Sequence, residues 1–147
     1  MSRRRRNRQL HPDILSREIR ISRTDASVYF RADKPRGLPA TLESDSYLEL
    51  RGLSEESLRD IKEFSIHLHI DDRKEPGPVL PPSIGAILKV YPVVDAVIGM
   101  PGPDFDRVWT LAASGRLHYS RLAFTKPHRG RALIVSASFS KEAEDTT

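Results

Sequence analysis

The sequence predicts an all-β protein: an antiparallel β-sandwich of jelly-roll or Greek-key type, with about eight strands and one short α-helix at 103–114. Three observations predict it. Apolar and polar residues alternate in several short runs, most cleanly in Phe64-Ser65-Ile66-His67-Leu68-His69-Ile70-Asp71. A period of two marks a strand with one face on a core and one toward water. Proline and glycine separate the runs, only one stretch has helical periodicity, and no βαβ rhythm occurs.

The elements follow in order. Residues 17–22 alternate through Ile19 and Ile21, and residues 26–31 through Val28 and Phe30. Arg23-Thr24-Asp25 between them is short enough for a hairpin. A loop with Pro35, Gly37 and Pro39 leads to a third strand at 46–51, with Leu48 and Leu50 on one face. Residues 54–60 read as a single helical turn. Ser54 is placed to cap it, Glu55 and Glu56 suit its first turn, and Leu53 with Leu58 form a staple. The Phe64 run comes next, pointing Phe64, Ile66, Leu68 and Ile70 inward and Ser65, His67, His69 and Asp71 outward.

Residues 72–83 form a proline-rich loop, whose prolines deny donors to a sheet. The runs 84–91 and 93–100 then read as one long strand bent at Pro92, since a lone proline is too short to reverse the chain. The helix has Pro103 at its first position, Asp104 and Asp106 at its positive end, and Phe105, Val108, Trp109 and Ala112 on one face. Gly115 ends it. Two last strands, 117–125 and 131–140, are joined by the turn Lys126-Pro127-His128-Arg129-Gly130.

The chain divides into a basic arm at 1–12, too polar to bury and expected to be disordered, one domain at 13–141, and an acidic tail at 142–147. The formal net charge of +4 comes from Arg3, Arg4, Arg5, Arg6 and Arg8; from Gln9 onward 19 basic residues face 20 acidic ones. The pI is therefore a property of the arm, and a basic face on the domain is not implied. The chain has no cysteine, which excludes disulfides, thiolate metal sites and cysteine nucleophiles. No apolar run is long enough to span a bilayer, and no apolar segment follows the arginines as a secretory signal requires. A cytoplasmic protein is expected.

Three functional readings come from the residues. The first is a non-catalytic binding or self-assembly module, a homo-oligomer or a partner-binding domain without cofactor. It rests on Val93 to Met100, where both faces are apolar apart from Asp95 and Gly99; a sandwich strand needs one, so the surplus calls for a cover. The second is a metal-dependent β-barrel enzyme. His67 and His69 lie two apart on one strand face and could share a metal with Asp71, His118 or His128 as third ligand. The bland alternative is a solvated polar face, which alternation alone produces. The third is a nucleic-acid accessory protein, with Arg3, Arg4, Arg5, Arg6 and Arg8 contacting phosphates without reading sequence. Asp95, alone among apolar neighbours, is expected to be a perturbed carboxylate, or to lie on the open face of its strand, or to pair with an arginine across the sheet.

Overall fold

The computed structural model describes residues 13–72 and 82–143. The arginine arm at 1–12, residues 73–81 of the proline-rich loop and residues 144–147 of the acidic tail lie outside the described residues. The elements are β1 (Ile14–Asp33), β2 (Thr41–Leu58), β3 (Ile61–Ile70), β4 (Gly85–Lys89), β5 (Val94–Met100), α1 (Gly102–Ala113), β6 (Tyr119–Thr125) and β7 (Ala132–Ser140).

Among the described residues the protein is all-β with one short helix, and its sheet closes. The strand order is β1-β2-β3-β5-β4-β7-β6, and β6 returns to β1 over Ile14 to Arg20. The expected sandwich is thus a single seven-stranded barrel. Closure rests on two long-range pairings. One joins the two ends of the strand order, β1 and β6. The other sets β3 parallel to β5, with Leu68 opposite Ile98.

The barrel is filled by the inward halves of the alternating runs. Phe64, Ile66 and Leu68 of β3 meet Leu48 and Leu50 of β2, Val94, Ala96 and Ile98 of β5, Ile87 of β4, and Leu122 and Phe124 of β6, all fully buried. Burying side chains of this size stabilises by roughly 1.5–3 kcal/mol each. The face assignment of β3 holds for Phe64, Ile66 and Leu68 inward and for His67 and His69 outward, but Ser65 is buried where water was expected, and Ile70 is exposed at the end. In β7 the faces switch. Ala132 and Ile134 are buried, but a register shift opposite Ala123/Phe124 brings Ala137 and Phe139 onto the core beyond it.

The helix is placed as the sequence predicts, one residue earlier at each end. It buries Phe105 and Val108, and half-buried Trp109 packs on Phe105 with ring centroids 5.7 Å apart. Asp72 accepts a hydrogen bond from the Gly102 N–H at the start of the helix (3.1 Å). At its end Gly115, at φ 71°, donates to Ala112 (3.1 Å) and Arg116 to Leu111 (2.9 Å), a Schellman closure.

Three local expectations are corrected. Arg23-Thr24-Asp25 is not a turn: β1 runs through it for 20 residues with a bulge at Ser22. The reversal comes later, where the Leu38 N–H donates to the Pro35 carbonyl (3.0 Å) and Gly37 sits at φ 78°. Residues 54–58 are not helical. They are an irregular end of β2, held by Arg17, which donates to the Ser57 carbonyl from Nε (3.2 Å) and Nη2 (3.0 Å). Its turn is Arg59-Asp60, both at positive φ. Finally, 84–100 is not one bent strand. β4 and β5 pair antiparallel, with Gly85 opposite Ile98, because Val90 to Val93, and not Pro92 alone, form the connection.

Candidate functional site

The outward residues of the sheet line up across strands. One row runs Asp25, Glu49, His67, Val97, Ala86, Leu133 through β1, β2, β3, β5, β4 and β7. A neighbouring row holds Arg23, Arg51, Ser65, Asp95 and Lys89. The polar half of this surface borders a groove of about 400 Å³, lined by Ser27, Tyr47, Glu49, His67, His69 and Val97 among others.

His67 stands in this groove with Asp95 Oδ1 3.0 Å and Ser65 Oγ 3.2 Å from the same ring nitrogen, Nε2. The Asp95 oxygen is buried and meets no donor at hydrogen-bonding angles, so the contact is a close approach without a hydrogen bond. Asp95 thus lies on the open face of β5, with His67 as its neighbour. Serine, histidine and aspartate together invite comparison with a nucleophilic triad. That chemistry needs serine on one imidazole nitrogen and the carboxylate on the other. Here both crowd Nε2, and the Ser65 hydroxyl is buried and within 3.2 Å of Glu49 Oε1.

Glu49 is held in turn by Arg51, whose Nε donates to Oε1 at 3.0 Å. This bond is the main reason the Glu49 carboxyl titrates below its ordinary value and Arg51 above its own; burial opposes both shifts. A carboxyl depressed in the folded state stabilises above its unfolded pKa of about 4.3 and loses that contribution as the pH falls toward the folded value. Glu49→Gln is therefore expected to cost a little stability at pH 7. The deficit should shrink as the pH drops below about 4, in urea denaturation at a series of pH values. A deficit independent of pH would assign the cost to packing.

His69 projects on the same side, and its neighbour across the strands is Gly99. A side chain at 99 would meet Asp71 Cβ at 2.8 Å and His69 Nε2 at 3.0 Å, so the glycine makes room for both. His67 and His69 therefore share a face, as the sequence predicts. The structure does not bring His118 or His128 to them. His118 is hydrogen-bonded to the carbonyls of Lys141 and Gly115, and His128 sits in the β6–β7 turn. Among the described residues no three histidine or acidic side chains are grouped to hold a metal ion. Asp104 and Asp106 are exposed on the first turns of α1.

The feature that sequence reasoning missed is an arm. β1 leaves its partner β6 after Arg20, and β2 meets β3 only from Tyr47 onward. Beyond them, residues 28–33 and 41–46 pair with each other and with no other strand among the described residues, as a two-stranded ribbon standing off the barrel. Its two faces differ. On one, Arg31 binds Glu43 through Nε (3.0 Å) and Nη2 (2.8 Å), with its guanidinium carbon 5.8 Å from the Tyr29 ring centroid. On the other, Val28, Phe30 and Ala32 stand opposite Ser46, Ser44 and Leu42. This face continues the inward face of the barrel, where Leu48 is buried, but here Val28 is 62 % exposed, Phe30 67 % and Leu42 72 %. The signal was present in the sequence: the alternation of 26–31 has no second apolar run to pack against.

No family model, no curated protein and no solved structure matches the chain. No helix among the described residues is long and apolar enough to cross a membrane.

Proposed function

We propose that this protein is a non-catalytic self-assembly module whose contact element is the β1–β2 arm. The observation that carries the reading is the exposed apolar face of Val28, Phe30 and Leu42 on a ribbon whose outer edges pair with no strand among the described residues. An isolated two-stranded ribbon is marginal in water, and exposed edges with a hydrophobic face are sites of pairing with another chain. The polar groove supports a catalytic reading less well. Its carboxylates are engaged, Glu49 by Arg51 and Asp25 by Arg23 at 3.0 Å, and the Ser65 hydroxyl beside His67 is buried.

The test is a Val28→Ser/Phe30→Ser variant compared with the parent by light scattering coupled to size-exclusion chromatography. The parent should elute as a species larger than one chain of 16.6 kDa and the variant as one chain. Circular dichroism should be unchanged, since neither residue belongs to the core. A variant that assembles as the parent does would remove the arm from the account.

A further inference from the structure

Resting on the self-assembly reading, we infer that two copies join edge to edge along the arm, β1 of one running antiparallel to β1 of the other about a two-fold axis at Val28. The two ribbons then form one continuous sheet in the order β2-β1-β1-β2.

Three observations carry this. The first is the edge. From Arg23 to Asp33 the side of β1 turned away from β2 pairs with no strand among the described residues. Such a row of backbone donors and acceptors templates another strand unless lysine, proline or a bulge blunts it. The stretch holds neither lysine nor proline. Its bulge comes before it, at Ser22, and Lys34-Pro35 come after it.

The second is the sequence of that edge read against its own reverse. It runs Arg23-Thr24-Asp25-Ala26-Ser27-Val28-Tyr29-Phe30-Arg31-Ala32-Asp33. In an antiparallel pair centred on Val28, Arg23 stands opposite Asp33 of the second copy, and Asp25 opposite Arg31. On the other face Val28 meets Val28, and Ala26 meets Phe30. Moving the centre to Ser27 sets Arg23 against Arg31, and moving it to Tyr29 sets Asp25 against Asp33. Like charges directly opposite destabilise a strand pair. A half step between these centres sets the apolar face of one strand beside the polar face of the other. Asp25 already holds Arg23 at 3.0 Å and Arg31 holds Glu43 at 2.8 Å, all at exposed positions. The charges therefore choose the register more than they strengthen the contact.

The third is the contrast with the other edge of the ribbon. Residues 41–46 of β2 are shorter, and their only charges are Glu43 and Asp45. Self-pairing centred on 43, 44 or 45 sets acid against acid. The β1 edge is thus the self-complementary one. Its pairing also brings Val28, Phe30 and Leu42 of both copies onto one face of a wider sheet, which a lone ribbon needs for stability.

Charge reversal tests the register. Asp25→Arg alone sets cation against cation at the joint, and Arg31→Asp alone sets anion against anion. In sedimentation equilibrium each should associate at least severalfold more weakly than the parent. An equal mixture of the two should regain the parent's association, because the mixed pair has opposite charges at both places. Circular dichroism should be unchanged, since both side chains are exposed. The absence of cysteine gives a second readout. Under mild oxidation Val28→Cys should cross-link to itself, and Ser27→Cys to Tyr29→Cys in a mixture. The products should be dimers and nothing longer, since a two-fold contact uses each edge once. Charge variants that associate as the parent does, a mixture no stronger than its components, or cross-linked products beyond the dimer overturn this inference. With the parent still assembled, the self-assembly reading then stands. A parent that is one chain by light scattering, with no cross-linking, overturns both.

Discussion

Leu68→Asp is expected to leave the protein largely unfolded in water. Leu68 is 1 % exposed, sits between Leu48 and Ile98 on neighbouring strands, and belongs to the strand that joins the antiparallel part of the barrel to its one parallel pairing. An unpaired carboxylate there either stays charged in an apolar interior or is neutralised at the cost of its pKa shift. Either way the penalty is about 4 kcal/mol or more, added to the lost packing. A domain of this size has about 5–15 kcal/mol in total. His67→Ala, one residue away on the outward face, should cost about 1 kcal/mol or less. What it removes is a half-exposed ring beside Asp95. Urea denaturation of both variants reads the difference. Equal costs at the two positions would mean that β3 does not present these faces.

Gly52→Ala is expected to cost about 3 kcal/mol, a large effect for one methyl group. Gly52 lies on β2 opposite Ile21, next to the bulge at Ser22 where the arm departs. A Cβ at 52 would run into the Arg20 carbonyl oxygen and lie 2.7 Å from Ile19 Cγ2. The obstruction is backbone in a closed sheet and does not rotate away, so β1 and β2 must separate. This places the substitution at the upper end of the range for overpacking. The midpoint of thermal unfolding, followed by circular dichroism, measures it. A shift within the usual scatter of surface substitutions would show that the two strands are not so close at this point.

The sequence shows the parts of this fold that are local. Alternation in residues 64–71 states which residues of β3 face inward, because a half-buried strand has no other period. The helix is legible for the same reason, since Pro103, Phe105, Val108 and Gly115 each act within a turn of themselves. Closure is not local. That β3 runs parallel to β5 and that β1 meets β6 depends on pairings between distant residues, and the same alternating strands are compatible with two sheets or one barrel. Arg23-Thr24-Asp25 read as a turn because three polar residues interrupt an apolar alternation. In the structure they mark where β1 stops facing the core and becomes the arm, so polarity there reports exposure and not reversal. The Arg59-Asp60 turn escaped notice because neither residue is a glycine or an asparagine. The outward direction of His67 was readable. Its approach to Asp95, 28 positions on, was not.

The surplus of apolar residues between Val93 and Met100 is half resolved. Val94, Ala96 and Ile98 are core, and Val97 stands outward beside His67, partly exposed. The account depends on a contact between chains. Sedimentation velocity of the parent protein at micromolar concentrations tests it most directly. The account predicts a boundary faster than that of a single 16.6 kDa chain, gaining in proportion as concentration rises. A single slow boundary at the monomer mass throughout the range would contradict it.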